Sequence, residues 1–415
     1  MLANDRNRRL ILAAIVVCGF ILRVWGLTFG LPLKSNLYIR PDESLLVAAA
    51  ARFWDTGGHP GFFAYPALMT ELCALLYLPW KLFGDGIPSA FSRDPGPFFL
   101  IARGLSVAAS TASILLVHAI AKRLISATGA LMAAAFFAFS PLAVRDAHFG
   151  VTDSLLVCLL LASLAWPFRN VQWPDIAALG AIFGLACSTK YTAILLAPAI
   201  GLRIIMRSLH APKQAMRNVA IAGACCALVF VLLNPYIFLQ QGDSSGQVYE
   251  LFSMFYRTQP GDTTWSARHA VQQVLRPLQY GPGGPVGFAL AAVGAVLLLS
   301  TRKSALPVVV AAAVCVAALL PFKHNVPYRY TLPLLPLISI LAAASLEYPK
   351  RALWKNLLAS LVIAFTAWNS ARLVNILTRP DTRTLAGTWI EKNVPADTPI
   401  LLLGPPEAEP QIHES

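Results

Sequence analysis

Charged residues are scarce in this sequence. They make up 13% of the 415 residues, whereas 57% are hydrophobic and the mean hydropathy is +0.61. A soluble domain carries about 25% charged residues, so a water-soluble fold is excluded. Apolar runs of about 20 residues, the length that crosses a bilayer as a helix, recur from Leu10 to Ile376. The composition predicts an all-α polytopic membrane protein.

The sequence also lacks a cysteine framework, and its N-terminus does not match the pattern of a cleavable leader. All seven cysteines lie inside apolar segments, without the polar setting or spacing of a zinc site or a disulfide framework. The charged N-terminus precedes an apolar run to Gly30 that is too long for a signal peptide and is followed by no A-x-A site. We expect an uncleaved first span with a cytoplasmic N-terminus.

Basic residues exceed acidic ones, giving a net charge of +13. They form short clusters between apolar runs and not one polar face, which argues against a nucleic-acid partner. Such clusters mark cytoplasmic loops. The clusters are Arg6/Arg8/Arg9, Lys122/Arg123, Arg169, Arg203 through Arg217, Arg302/Lys303 and Lys350/Arg351/Lys355.

Placing every basic cluster in the cytoplasm predicts eleven spans and an external C-terminus. The resulting alternation of sides along the chain, here called the parity count, does not allow the apolar segment 65–83 to cross. We therefore interpret that segment as a helix on the outer surface, with a twelfth span as the alternative. The predicted spans are 10–30, 98–121, 126–142, 153–168, 175–189, 191–206, 218–238, 285–300, 305–322, 329–346 and 355–376.

The predicted organisation is a transmembrane module over residues 1–376 and a short external segment over 377–415. Three external loops, 31–97, 143–153 and 239–284, interrupt the module, and long loops are often functional. The tail reads as a short helix, a turn and a strand, as though a small domain began there.

Ionisable residues cluster at the outer junction of two spans, in SPLAVRDAHFGVTDSLLV. Arg145, Asp146, His148 and Asp153 lie within nine positions, and such groups at membrane depth cost several kcal/mol unless they are paired or face water. We interpret them as functional. The alternative is that they only sit at headgroup level.

A second acidic motif, RPDES, lies in the first loop. Pro41 and the following apolar run predict a helix that begins with Asp42 and Glu43. A carboxylate there could act as a general base. The alternative is that the pair only stabilises a helix N-terminus.

Three basic residues stand apart from the cytoplasmic clusters: Lys190, Lys323 and Arg329. The parity count places all three outside, against the usual trend. We therefore expect them to bind an anionic ligand such as a phosphate. Each alone could instead be a base that snorkels to the interface.

The order of these motifs resembles the GT-C superfamily of membrane glycosyltransferases, specifically the glycosyltransferase family 39-like enzymes related to protein O-mannosyltransferases and the lipid A aminoarabinose transferase. The matching pieces are FILRVWGL, RPDES, HPGFFAYPAL, SPLAVRDAHFGVTDSLL, GLACSTKYTAILLAPA, NPY and YRYTLPLLPL, from about residue 20 to residue 346.

The resemblance implies a GT-C fold and a polyprenyl-phosphate-linked sugar donor in the bilayer. The sugar would pass, with inversion, to an unknown acceptor (protein, lipid or envelope glycan) on the non-cytoplasmic face, with a bacterial inner membrane as the expected location. Asp42, with Glu43 beside it, would be the base and Asp153 the second acid. The expected substrate-binding residues are Arg145, His148, His59, Tyr65, Lys190, Lys323, Arg329 and Tyr330.

The metal requirement and two other function classes stay open at this point. Asp42 and Asp153 could hold a divalent ion, as in oligosaccharyltransferase relatives, but O-mannosyltransferase-like members need none, and we expect no cofactor. A transporter or lipid flippase is the first rival, and a non-catalytic scaffold subunit the second.

Overall fold

The computed structural model describes residues 2–31, 40–167, 172–240, 245–249, 253, 266–322, 326–347, 352–395, 398–401 and 410. Within these ranges every regular element is a helix. The N-terminal elements are α1 (Leu2–Val24) and four shorter helices of the first loop: α2 (Pro41–Arg52), α3 (Leu68–Leu76), α4 (Leu78–Phe83) and α5 (Ile87–Arg93).

The central part contains α6 (Gly96–Leu124), α7 (Ala127–Ala138), α8 (Pro141–Ala147), α9 (Thr152–Ala165), α10 (Trp173–Cys187), α11 (Ala197–Arg207), α12 (Pro212–Leu233) and α13 (Pro235–Leu239). The C-terminal part contains α14 (Ala267–Leu278), α15 (Gly284–Thr301), α16 (Leu306–Ala317), α17 (Leu334–Ser345), α18 (Ala352–Leu377) and α19 (Thr382–Asn393). Short 3₁₀ turns cover Tyr191–Leu196, Lys303–Ala305 and Tyr328–Thr331.

Proline explains where many of these helices begin. It occupies the first or second position of α2, α6, α8, α10, α12 and α15. Proline suits this position because its missing N–H is unpaired there in any helix. Each of the eleven predicted spans overlaps a helix or, at 126–142, 191–206, 218–238, 305–322 and 329–346, two consecutive helical pieces.

Among the described residues, four helical segments are long and apolar enough to cross a membrane by themselves: Gly96–Leu124, Pro212–Leu233, Gly284–Thr301 and Leu353–Asn393. Helices α7 and α8 pass the same test together, with a 56° bend between them. The chain is therefore a multi-pass membrane protein. Helices α9, α10, α16 and α17 are apolar but shorter.

The helices have two chemically different ends. At one end, Arg123 donates to the carbonyl of Ala165 (2.6 Å), Arg203 donates to that of Ser163 (3.0 Å), and Glu347 accepts from the Ser126 amide (2.8 Å). The carboxylates Asp42 and Asp153 lie at the other end. Two of the clusters that the parity count assigns to one side, Lys122/Arg123 and Arg203 through Arg217, therefore share an end.

Two peripheral segments differ from a simple span or domain. Segment 65–83 contains α3 and α4, of nine and six residues. At 1.5 Å per residue they measure about 13 and 9 Å, too short for a hydrocarbon layer of about 30 Å.

In the tail, the predicted helix exists as α19, but the predicted strand is wrong over residues 398–401. No strand in the described chain offers those residues a partner.

Candidate active site

Helix α2 places Asp42 at the open end of the bundle. Arg40 has an extended backbone and Pro41 starts the helix, so Asp42 lies in the first turn. Its side chain is 23% exposed and pairs with Arg329, and Tyr65 donates its hydroxyl to Oδ1 (3.2 Å). Burial raises the pKa of the Tyr65 phenol well above its usual range, and the charge of Asp42 adds to this effect. The phenol is therefore a hydrogen-bond donor.

Asp153 lies in the first turn of α9, and the residue that contacts it follows α10. Lys190 donates its Nζ to Asp153 Oδ1 at 2.8 Å, and both side chains are buried. The ammonium also lies 5.0 Å from the ring centre of Tyr330 and 5.8 Å from that of Tyr65. Together with the Asp42 pair, these contacts gather five of the predicted site residues (Asp153, Lys190, Tyr65, Tyr330 and Arg329) around Asp42.

A cavity of about 250 Å³ begins at this cluster. Its polar end is formed by Tyr65, Asp153, Lys190, Arg329 and Tyr330, and the rest of its lining is mainly aliphatic and aromatic. Ile194 and Leu195 line it and are also 54% and 43% exposed, so the apolar part reaches the lipid-facing surface. The shape suits an amphiphile with an anionic head.

Arg329 has a hydrogen-bond donor to spare at the polar end. Its Nε is buried and has no partner among the described residues. An unpaired buried donor costs roughly 1–3 kcal/mol. A ligand with an anionic oxygen could satisfy it.

A second group of charges lies beside the first. Arg40 and Arg145 donate to the two oxygens of Asp146, at 2.8 and 2.9 Å, and the Asp146 side chain is fully buried. Burial lowers the pKa of Arg40, but the charges of Asp146 and Asp153 outweigh that effect and raise it. Sequence reasoning missed Arg40, although it belongs to the RPDES motif.

Glu43 does not face the site, contrary to its predicted place beside the base. It is fully buried and accepts from Arg103 at both oxygens, at 2.8 and 2.9 Å, and from the Gly150 amide at 2.6 Å. Arg103 in turn donates to the carbonyls of Leu27 and Phe29. This network connects the turn after α1, helices α2 and α6, and the turn before α9, so Glu43 holds the first loop in place.

Two predicted histidines also lie away from the carboxylates. His148 is buried, and its two ring nitrogens contact the carbonyls of Val144 and Trp25 at 2.8 and 2.9 Å. His59 contacts Gln240 Oε1 at 2.6 Å and stacks edge-on with the ring of Tyr236. Both histidines therefore contact neighbouring protein groups and do not face an open cavity. Lys323 lies outside the described residues.

The NPY motif has a clear positioning task that the sequence did not reveal. Asn234 accepts from the Ala67 amide at 2.8 Å and donates to Ser188 Oγ at 3.1 Å. It therefore ties the segment that carries Tyr65 to the turn that carries Lys190.

The described side chains do not form a typical metal-binding site. No group of three or more His, Cys, Asp or Glu residues lies together in the described part of the chain. Asp42 and Asp153 are each paired with a cation. A divalent ion held by oxygen ligands would have to replace those cations.

Comparison with known families supports the fold. The family model for dolichyl-phosphate-mannose-protein mannosyltransferase matches residues 99–237, which include Arg145, Asp153, Lys190 and Asn234. A search of curated proteins finds no significant match.

Two solved structures share the architecture of this chain. The archaeal oligosaccharyltransferase AglB from Archaeoglobus fulgidus, in complex with an inhibitory peptide and a dolichol-phosphate, matches with a TM-score of 0.61 at 11% identity over 95% of this chain and 59% of its own. ArnT from Cupriavidus metallidurans bound to undecaprenyl phosphate matches with a TM-score of 0.56 at 16% identity, over 92% of this chain and 72% of its own.

The predicted GT-C fold is confirmed by these structures. Because the sequence identities are this low, the similarity to these structures shows a shared fold only. The chain spans less than two thirds of the length of the archaeal protein.

Proposed function

We propose that this protein is a glycosyltransferase that moves a sugar from a polyprenyl-phosphate donor to a hydroxyl-bearing acceptor. The observation that carries the proposal is the cavity that runs from exposed apolar residues to Lys190 and Arg329. A prenyl chain matches its apolar part and a phosphate matches its cationic end. The family match and the polyprenyl-phosphate-bound structural relatives support the same donor class.

The proposed reaction is a displacement at the sugar's anomeric carbon. The bond from that carbon to the phosphate oxygen breaks, and its electron pair stays on the phosphate. The acceptor oxygen forms the new bond to the carbon with inversion and loses its proton to Asp42. The products are the glycosylated acceptor and the polyprenyl phosphate.

The cations and carboxylates have separate tasks in this reaction. Lys190 and Arg329 stabilise the negative charge that grows on the leaving phosphate. This stabilisation matters more for the reaction than removal of the acceptor's proton does. When the donor phosphate engages Arg329, Asp42 gives up that partner and becomes a free acceptor of the proton. Asp153 keeps Lys190 in position through its 2.8 Å contact.

We propose that no metal takes part, since Lys190 and Arg329 provide the positive charge that a metal would otherwise supply. We also propose that the cluster faces the non-cytoplasmic side of a bacterial inner membrane. The basic residues at the opposite end of the helices support this orientation.

A transporter or flippase is the alternative function. It is less well supported, because the paired charges gather at one end of the bundle and the family and fold relatives are transferases.

The direct test is a comparison of lipid extracts from cells with and without the protein. Loss of a transferase should make one polyprenyl-phosphate sugar accumulate, and mass spectrometry would identify its sugar. Loss of a flippase would instead leave the donor on the cytoplasmic leaflet, and the purified protein would transfer no sugar. Unchanged lipid-linked sugars together with absent transfer would refute the proposal.

A further inference from the structure

A second, open cavity lies next to the donor cavity and shares Arg329 with it. Its volume is about 330 Å³. Unlike the donor cavity, it is lined by three arginines. Its lining consists of Arg40, Arg145, Phe149, Pro327, Tyr328 and Arg329.

This cavity carries excess positive charge. Arg40 and Arg145 share one carboxylate, the fully buried Asp146. Across the four ion pairs of both cavities, four cations face three carboxylates: Arg40, Arg145, Lys190 and Arg329 against Asp42, Asp146 and Asp153. The Arg145 side chain is still 32% exposed, so its guanidinium can meet a ligand.

The arginines are held in place before any ligand arrives. The Arg40 guanidinium lies 5.0 Å from the ring centre of Phe149, and Asp146 fixes its other side. Tyr328 stacks with Tyr280 at 5.1 Å between ring centres. A rigid cationic surface with a flat aromatic wall binds an anion at low entropic cost.

We propose that the acceptor carries a phosphate group, which Arg145 and Arg40 bind in this second cavity. The inference rests on the proposed function. A guanidinium matches phosphate by paired hydrogen bonds, and two guanidiniums surround this cavity. The donor's own phosphate is placed at Lys190 and Arg329, so the second cavity serves the other substrate. Arg40 is two residues from Asp42, which brings the acceptor's hydroxyl to the base.

The first test measures phosphate binding alone, in nanodiscs already saturated with undecaprenyl phosphate. Calorimetric titration with inorganic phosphate should show binding to wild type, and Arg145→Gln should weaken it about tenfold or more, the effect of one charge-assisted contact. Arg145→Lys should recover part of the affinity. Arg93→Gln is the matched control, since Arg93 forms an exposed pair with Asp85 at the protein surface. Equal affinity in Arg145→Gln and wild type would overturn the proposal.

The second test follows labelled sugar from undecaprenyl-phosphate mannose into cell-envelope extracts, with and without phosphatase treatment. Label should enter an anionic fraction of the untreated extract and should not enter extract whose phosphate groups were removed by phosphatase beforehand, and partition into organic solvent would separate a lipid headgroup from a soluble phosphate. Undiminished transfer to the treated fraction would refute the phosphate acceptor while leaving the glycosyltransferase intact. Absent donor binding with intact phosphate binding would refute the proposed function instead.

Discussion

Asp42 and Glu43 are neighbours in sequence and have opposite surroundings in the structure. Successive helical residues point about 100° apart, so two adjacent side chains can face different surroundings. Asp42 meets Arg329 and Tyr65, whereas Glu43 is enclosed with Arg103. The motif alone could not separate a base from a structural anchor.

Glu43→Gln should therefore act on stability more than on chemistry. Breaking one side of a buried ion pair costs about 3–5 kcal/mol, because the Arg103 charge stays buried without its partner. Thermal unfolding in detergent should show a clear fall in Tm. Asp85→Asn, in an exposed pair with Arg93, should change stability by less than about 1 kcal/mol. Equal Tm values for the two variants would show that the pair does not hold the loop.

Arg329→Ala should weaken use of the donor far more than Arg302→Ala does. Arg329 lies at the polar end of the donor cavity, whereas Arg302 follows α15 at the basic end of the bundle. Losing a charge-assisted contact to phosphate costs about 1.5–3 kcal/mol, roughly ten- to a hundredfold in the donor KM. Steady-state kinetics with varied donor would measure this change. Small and equal effects would remove Arg329 from the donor site.

Sequence reasoning identified those candidate site residues that break a pattern. Lys190 and Arg329 were identified because they oppose the positive-inside trend, and the structure brings both to one cavity. Arg103 was missed because it lies within an apolar span and its partner is distant in sequence. His148 was predicted to bind substrate, but the sequence does not show that two backbone carbonyls satisfy its ring.

At the scale of helices, apolar runs and prolines were sufficient to locate most of the long helices, but not their breaks or close contacts. The bend of 56° between α7 and α8 carries Arg145 and Asp146 into the site, and it coincides with Pro141. The contact between α10 and α12 depends on Gly180, where an added Cβ would lie 2.3 Å from the Ala222 carbonyl oxygen.

Gly180→Ala should destabilise the protein, because α10 and α12 would have to separate. Overpacking of this kind costs roughly 1–3 kcal/mol, and it would also displace Lys190, which follows α10. Gly223→Ala on α12 is the control, since a Cβ there meets nothing within 4 Å among the described residues. Alanine favours a helix by up to about 1 kcal/mol over glycine, so the control should be neutral or slightly stabilised. A control that loses as much Tm as Gly180→Ala would contradict this interpretation.

At the scale of the whole molecule, the parity count predicted eleven crossings, and helix length alone does not test that number. Several helices are too short to be identified as spans by length, which leaves four in the described part of the chain, or five with the bent pair. The count does predict that Lys122 and Arg93, both exposed and at opposite ends of α6, lie on opposite sides of the membrane. The same residues test whether segment 65–83 crosses.

Cysteine labelling would test this topology in a cysteine-free background. Arg93→Cys should react with an impermeant thiol reagent added to intact cells, and Lys122→Cys should react only after the membrane is opened. Labelling of Lys122→Cys from outside would overturn the parity count and make segment 65–83 a true span.

The central claim is that Asp42 removes the acceptor's proton while Lys190 and Arg329 hold the leaving phosphate. The most direct measurement is sugar transfer from a polyprenyl-phosphate donor by purified protein in liposomes, comparing wild type, Asp42→Asn and the surface control Asp85→Asn. Because asparagine keeps the shape and removes the basicity, Asp42→Asn should slow transfer by about 10²-fold or more. Donor binding and Tm should stay close to wild type, and Asp85→Asn should be fully active. Full activity in Asp42→Asn would contradict the claim and leave Asp153 as the remaining candidate for the base.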